Sequence, residues 1–217
     1  MPKSVRRWLV TSATLLAAFA AIAGAWQFVP GVRQIDEAVV VDLHGVAAAS
    51  PAAVEVFLRM TAMGAAPFLI WYSAGVVIVL LLLRRWQLAA VWTVVQLVGL
   101  LLIEGGKLAF GRPRPGFNGV FTYEETLSFP SGHALASMTA FGMLAFLISN
   151  SRFPPIVRRT AAVLCFILIA MIGFSRLFLG VHYLTDVLGG FALGGAWLCL
   201  AVGWMKLKSA SANDNEF

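Results

Sequence analysis

Three short runs of residues combine basic side chains, histidines and a carboxylate at the ends of strongly apolar segments. In chain order the runs are Lys107 with Arg114-Pro115, then Pro130-Ser131-Gly132-His133, then Ser175-Arg176 with His182 and Asp186. A phosphate monoester carries about two negative charges and needs cations together with several hydrogen-bond donors. Arginine offers a planar fork suited to that geometry, and lysine offers a point charge. The runs therefore indicate a site for a phosphate group.

The two histidines of these runs suit two different roles. His182 and Asp186 are four residues apart, so they share one face if this stretch is helical. A carboxylate bonded to Nδ1–H fixes the tautomer, leaves Nε2 free to attack and stabilises the cation that develops. We therefore predict that His182 forms a covalent phosphohistidine, which divides one difficult displacement into two steps. His133 would protonate the leaving alkoxide and later activate water.

The remaining positions of the runs are predicted to hold the phosphate oxygens. Lys107, Arg114 and Arg176 would neutralise the charge on the equatorial oxygens during transfer. Ser131 and Gly132 begin an apolar segment, and a helix N-terminus offers free N–H groups and the positive end of the helix dipole. No metal is required and the sequence offers no carboxylate cluster suited to Mg²⁺, so we expect no cofactor.

The composition predicts the elements that must position these residues. Of 217 residues, 60% are hydrophobic and 12% charged, which is more apolar surface than a soluble domain of this length can bury. Apolar segments near the ~20 residues that span a bilayer predict an all-α, polytopic membrane protein. We expect a single domain, 1–217, built as a bundle of six transmembrane helices, with residues 209–217 as a disordered tail. The predicted spans are Trp8–Val29, Ala65–Leu83, Trp86–Phe110, His133–Ser149, Arg159–Phe178 and Leu184–Met205.

The basic residues predict the orientation of these spans. Ten of the sixteen Lys and Arg residues lie at four places: before the first span, between the second and third, between the fourth and fifth, and after the sixth. The positive-inside rule then places both termini in the cytoplasm and the site at the extracytoplasmic face. Four of the other six, Lys107, Arg112, Arg114 and Arg176, lie in or beside the runs. A bound anion would explain this concentration, whereas no basic tail or helix indicates nucleic acid.

Two N-terminal segments allow alternative interpretations. Lys3, an apolar stretch and Ala23-Gly24-Ala25 also resemble a signal peptide with its cleavage site, although the stretch continues through Val29, which favours an uncleaved anchor. Further on, Ser50 before Pro51 is typical of a helix start. That helix is predicted to lie in the outer interface, where it would either help a lipid reach the site or only pack against the bundle.

Together, the three runs resemble the tripartite phosphatase signature of the type 2 phosphatidic acid phosphatase superfamily, which also includes vanadium haloperoxidases. That signature has Lys, six residues and Arg-Pro, then Pro-Ser-Gly-His, then Ser-Arg, five residues, His, three residues and Asp, and this sequence departs from it nowhere. Arg112-Pro113 is an additional Arg-Pro, so Arg112 is expected to touch the substrate or the loop rather than the phosphate. The resemblance implies a helical bundle, His182 as the nucleophile, and lipid phosphates or diphosphates as substrates.

The sequence leaves three functions open. The leading one is a metal-independent lipid phosphatase of a bacterial inner membrane. A lipid phosphotransferase would use the same phosphohistidine but pass the phosphoryl group to another lipid. A non-catalytic anion- or lipid-binding membrane protein would need the cations but not both histidines and Asp186. Undecaprenyl diphosphate, phosphatidylglycerol phosphate, phosphatidic acid and lipid A are all candidate substrates, and the oligomeric state is open.

Overall fold

The computed structural model describes residues 1–214, with side chains described to residue 208, and contains eight α-helices and no strand in that range. In chain order the helices are α1 Lys3–Phe28, α2 Pro30–Ala48, α3 Pro51–Ala62, α4 Ala66–Leu82, α5 Trp86–Phe110, α6 Gly132–Ser149, α7 Pro155–Phe178 and α8 Leu184–Asp214. Five of them, α1, α5, α6, α7 and α8, are long and apolar enough to cross a membrane. The predicted all-α, multi-pass architecture is therefore confirmed.

The six predicted spans correspond to α1 and to α4 through α8. Of these, α4 has 17 residues, which rise about 25 Å and lie at the short end of what crosses a hydrocarbon core. The sequence did not predict α2, because its charged residues are scattered among apolar ones. Helix α3 does begin at Pro51, as predicted, and it meets α2 at 117°. By length and composition the described helices provide five crossings, or six if that bent pair counts as one broken span.

Helix α8 lies at the centre of the bundle and α1 at its edge. In the most apolar window of each helix, 72% of α8 is buried inside the protein but only 6% of α1. Glycines let α8 approach the backbone of α6. A Cβ atom at Gly190 would lie 2.6 Å from the carbonyl oxygen of Ser131, and one at Gly194 would lie 2.9 Å from that of Leu135. This contact holds the beginnings of α6 and α8 side by side.

The same end of the bundle gathers the ends of α5 and α7 as well. Gly111 ends α5 in the left-handed conformation, with φ 60°, and its N–H donates to the carbonyl of Lys107. The two Arg-Pro pairs that follow keep residues 112–115 out of a helix, because proline lacks an N–H and restricts its predecessor. Residues 111–131 therefore cross this end of the bundle as an irregular loop.

The C-terminal end of the chain departs from the prediction. We expected a disordered tail from residue 209, but α8 continues to Asp214. Adding residues to an existing helix costs little compared with starting a new one, which accounts for the extension over residues 209–214. The last part of the predicted tail, residues 215–217, lies outside the described residues.

Candidate active site

His182 lies between α7 and α8 and is 1% exposed. Its Nδ1 atom is 3.3 Å from Asp186 Oδ2 and 3.3 Å from Ser128 Oγ. Its Nε2 atom is 3.0 Å from Nη1 of Arg114, which can only donate. These contacts match a tautomer with the proton on Nδ1 and a lone pair on Nε2. The structure thus brings His182 and Asp186 together in the arrangement that suits a nucleophile.

Burial and neighbouring cations keep His182 neutral. Loss of water contact lowers the pKa of His182 well below its usual range, and the positive charges of Arg114, Arg176 and Lys107 lower it further. A hydrogen bond from the imidazole to the backbone of Ser128 acts in the opposite direction. The imidazole is therefore a free base near neutral pH, which is the form that can attack phosphorus.

Asp186 is fully buried in the first turn of α8. Its Oδ2 atom accepts hydrogen bonds from Ser128 Oγ at 2.5 Å and from the backbone N–H of Tyr183 at 2.8 Å. Its Oδ1 atom accepts from Arg112 Nη1 at 2.7 Å. Both oxygens are therefore held by donors before His182 is counted, so the carboxylate cannot rotate freely.

The three cations of the signature lie on the other side of His182. Lys107 Nζ donates to Thr126 Oγ1 at 2.7 Å, and Arg114 Nη2 donates to the same hydroxyl at 3.2 Å. Arg114 is further held by the carbonyls of Thr126 and Val181, at 2.6 and 2.8 Å. Thr126, which the sequence did not identify, therefore connects two of the predicted phosphate ligands.

Arg176 is the third cation and is 1% exposed. Its Nη1 donates to Thr61 Oγ1 at 2.6 Å, and its Nη2 forms an ion pair with Glu124. Its buried Nε has no partner among the described residues. The same Glu124 carboxylate lies 4.0 Å from Arg114 Nη2. A loop carboxylate thus occupies the space between two arginines where the sequence predicted an anion.

His133 lies in the first turn of α6, and its side chain is half-buried. It makes no side-chain hydrogen bond within the described part of the chain. His182 and the three cations are all close enough to interact with it electrostatically. A Cβ atom at Gly64 would lie 3.1 Å from His133 Cδ2, so the glycine between α3 and α4 leaves room for the imidazole. The ring is therefore positioned beside the cations with its nitrogens uncommitted.

The amide of Ser131, a predicted phosphate ligand, has a partner within the protein in this structure. This N–H donates to the backbone carbonyl of Asp186 at 3.0 Å, because α6 and α8 begin side by side. The Ser131 hydroxyl accepts from the N–H of Ala134 at 3.5 Å as the N-cap of α6. Gly132 stays next to the cations, since a Cβ atom there would lie 4.0 Å from Lys107 Nζ. Ser131 therefore joins the two helices, and Gly132 is left facing the anion site.

The side chain of Arg112 was expected to touch the substrate or the loop, but it binds two buried carboxylates instead. Its side chain is 5% exposed, and it bonds to Asp186 and to Asp36 Oδ2, the latter at 2.6 Å. The guanidinium carbon lies 4.5 Å from the ring centroid of Trp26 and 4.1 Å from that of Tyr183. Sequence reasoning missed Asp36, although a carboxylate set between apolar residues of a membrane protein was an available signal.

Known proteins resemble the chain in sequence and in structure. The family model of the PAP2 superfamily matches residues 85–210. A solved structure, described as the first transmembrane PAP2 type phosphatidylglycerolphosphate phosphatase, from Bacillus subtilis, superposes with a TM-score of 0.82 and 27% identity, covering 90% of this chain and 96% of that one. Phosphatidylglycerophosphatase B of Bacillus subtilis is 37% identical over 84 residues, which cover 38% of this chain and 41% of that protein.

A second curated relative is the lipid A 1-phosphatase of Rhizobium etli. It is 35% identical over 127 residues, which cover 53% of this chain and 48% of that protein. The chain therefore spans less than half the length of either curated relative in these matches. All positions of the three runs lie inside the region matched by the family model, whereas Asp36 lies outside it.

Proposed function

The chain belongs to the PAP2 superfamily, and from that premise we propose that it hydrolyses a phosphate monoester or diphosphate of a membrane lipid. The observation that carries this proposal is the environment of His182. Nδ1 faces the Asp186 carboxylate at 3.3 Å, and Nε2 faces Arg114 at 3.0 Å within a cluster of three cations. An anion-binding scaffold would need the cations but not the oriented histidine. The names of the relatives, a phosphatidylglycerophosphatase and a lipid A 1-phosphatase, support the same activity.

In the first step, Nε2 of His182 attacks phosphorus while the bond to the lipid oxygen breaks. His133 gives its proton to the departing alkoxide. Asp186 stabilises the positive charge that the imidazole acquires, and Lys107 and Arg114 balance the phosphoryl oxygens. The products of this step are the free lipid alcohol and a phosphohistidine at His182.

In the second step, water attacks the phosphohistidine. His133, now neutral, takes a proton from that water, and the N–P bond breaks to release inorganic phosphate and restore His182. Arg176 must exchange Glu124 for phosphate oxygens during this cycle, since both present negative charge to one guanidinium. Transfer to a lipid hydroxyl instead of water would turn the same machinery into a phosphotransferase.

The substrate and the side of the membrane belong to the same proposal. Phosphatidylglycerol phosphate is the first candidate, because the matched structure and a curated relative, both from Bacillus subtilis, are named as phosphatases of this lipid. Lipid A is the second. The site lies at the end of the bundle opposite the basic residues Arg84, Arg85, Arg158 and Arg159. By the positive-inside rule, the end of the bundle that carries those basic residues faces the cytoplasm, and both termini lie on that side. The site then lies on the outer face of a bacterial inner membrane.

The test measures phosphate release by purified protein in detergent with excess EDTA, against a panel of lipid phosphates and diphosphates. The His182→Ala variant is assayed beside the wild type, and gel filtration establishes that both are folded. We expect EDTA-resistant release that the variant loses, and an acid-labile phosphoprotein that forms only in the wild type. Release by both proteins would contradict the phosphohistidine. No release, but transfer of phosphate to an added lipid alcohol, would identify the phosphotransferase.

A further inference from the structure

A buried network of three charges lies behind His182, on the side of Nδ1. The guanidinium of Arg112 bridges two carboxylates, with Nη1 2.7 Å from Asp186 Oδ1 and Nη2 2.6 Å from Asp36 Oδ2. The side chains of Asp186, Arg112 and Asp36 are 0%, 5% and 1% exposed. The network therefore links α2, the loop after α5, and the first turn of α8.

Stability alone does not account for these charges. Moving charges out of water is costly, and well-packed apolar residues often replace a buried ion pair without loss of stability. The guanidinium of Arg112 also lies over the rings of Trp26 and Tyr183 and its side chain is 5% exposed, so water screens it little. Charges in such surroundings act strongly on groups a few ångströms away. The nearest group that changes charge during the proposed reaction is His182.

The sum of charges decides what His182 experiences. Asp186 alone would present one negative charge to the imidazole, but Arg112 on its other oxygen would cancel it. The carboxylate of Asp36 offsets Arg112 in turn. Two carboxylates and one guanidinium leave a net charge of −1. This charge matches the positive charge that the imidazole gains as it bonds to phosphorus.

Asp36 also fixes the first turn of α8. Its Oδ1 accepts from the backbone N–H of Thr185 at 3.0 Å, and its Oδ2 accepts from the Thr185 hydroxyl at 2.6 Å. A carboxylate suits a helix N-terminus, because the first N–H groups of the helix lack partners within it. Since Asp186 is the next residue, the contact holds the carboxylate that faces His182.

We propose that Asp36 is a positioning residue of the reaction: it offsets the charge of Arg112, so that Asp186 acts on His182 with its full negative charge. The inference rests on the proposed phosphohistidine mechanism. It assigns a role in the chemistry to α2, which lies outside the part of the chain matched by the family model.

The experiment compares Asp36→Asn with the double variant Asp36→Asn, Arg112→Gln. The asparagine keeps the size of the side chain and an acceptor for the Thr185 N–H. With Arg112 unopposed, we expect kcat to fall about 10- to 100-fold with KM within about twofold of wild type. The double variant restores a net −1 beside His182, so its kcat should exceed that of Asp36→Asn several-fold.

A matched control is Asp42→Asn, which makes the same change at an exposed position of α2 and should leave kcat unchanged. Gel filtration and thermal unfolding in detergent report on folding. If Asp36→Asn does not fold, the double variant, which leaves no unpaired guanidinium, and Asp36→Glu, which keeps the charge, carry the test. Both should turn over within about tenfold of wild type. An unchanged kcat in Asp36→Asn, or a double variant no faster than it, would overturn the inference.

Failure of the proposed function is a separate outcome. If wild-type protein releases no phosphate from any lipid, orthovanadate binding replaces turnover, because vanadate can bond to a histidine nitrogen as a phosphoryl group does. Asp36→Asn should then weaken vanadate binding at least about tenfold, while Asp42→Asn should not. Equal binding by the wild type and Asp36→Asn would overturn the role of Asp36. Absence of both turnover and vanadate binding in the wild type would overturn both proposals.

Discussion

The two ring nitrogens of His182 face surroundings of opposite character. The Nε2 side contains Lys107, Arg114, Arg176 and the loop residues Glu124 and Thr126. Its three cations outnumber the carboxylates near them, which are those of Glu124 and of Glu104 beside Lys107. The Nδ1 side contains Ser128, Asp186, Arg112 and Asp36, and both carboxylates there have several donors at 2.5–3.0 Å. Positive charge exceeds negative on the first side, and the reverse holds on the second.

This difference matches what the proposed two-step mechanism requires of each side. A phosphate must enter and leave the Nε2 side, so the partners of its cations there are exchangeable, and Glu124 is 26% exposed. The Nδ1 side must keep one tautomer and one orientation of the imidazole through both steps. A closed network with no exposed charge provides that. Substitutions on the two sides should therefore have different kinetic signatures.

The largest effect is expected for Asp186→Asn. Arg112 donates to Oδ1, so the new amide must turn its oxygen toward Arg112 and its NH₂ toward His182. Nδ1 then accepts instead of donating, and the proton moves to Nε2, which can no longer attack. We expect kcat to fall about 10³- to 10⁴-fold, with KM little changed. Phosphate-release kinetics check this, and a loss smaller than tenfold would show that the tautomer is fixed in another way.

The second largest effect is expected on the Nε2 side, for a substitution of Arg176. Arg176→Lys keeps the charge but loses the fork that reaches Thr61 and Glu124. We expect kcat/KM to fall about 10²-fold, with KM rising as well, because phosphate contacts act on both substrate and transition state. Arg59→Lys is the control, since Arg59 is exposed on α3 and pairs with Glu55 on the same helix. A pure kcat loss in Arg176→Lys would assign Arg176 to the same role as Asp186.

The sequence predicted the Nε2 side better than the Nδ1 side, for a physical reason. Lys107, Arg114 and Arg176 lie at the ends of apolar segments, where charge is conspicuous and helix order alone brings it to one end of the bundle. The family and the all-α fold expected from those runs are confirmed. The roles of individual residues stay predictions until variants are measured.

Apart from the pair of His182 and Asp186, the Nδ1 side depends on contacts that no local pattern encodes. Asp36 meets Arg112 across 76 residues of chain, and the meeting depends on how α2 packs on α8. Helix α2 was itself missed, because its charges do not follow a helical period.

Two other features of the site were also missed. Glu124, on the Nε2 side, was missed because acidic residues in a surface loop are ordinary. The amide of Ser131 was assigned to phosphate because the close approach of α6 and α8 could not be foreseen.

A smaller effect is expected for Glu124→Gln. Without its charge, the side chain competes less well with phosphate for Arg176, so KM should fall about three- to tenfold while kcat stays within about twofold. Inorganic phosphate should also inhibit more strongly as a product. Glu125→Gln, the exposed neighbour, should change neither quantity. An increase in KM would mean that Glu124 holds Arg176 in place for the substrate instead of competing with it.

The smallest effect concerns pH and again separates the two nitrogens. Burial, Arg114, Arg176 and Lys107 lower the pKa of His182, while the hydrogen bond from its ring to the Ser128 backbone opposes them. The attacking form is neutral, so it persists as pH falls until that low pKa is reached. Between about pH 7.5 and 6.5, the fraction of His182 in its attacking form should therefore stay nearly constant. An acid limb of kcat/KM due to His182, once corrected for the phosphate ionisation near pH 6, should begin only below about pH 6.5. An alkaline limb would belong to His133, which must carry a proton when the lipid oxygen leaves. Arg114→Gln removes one positive charge beside Nε2 and raises the pKa of His182. The acid limb in the kcat/KM profile of this variant should therefore move to higher pH. The exposed Arg59→Gln should leave the acid limb of the kcat/KM profile at its wild-type position. An acid limb at or above pH 6.5 in the wild type would mean that Asp186 raises the pKa of His182 more than the cations lower it.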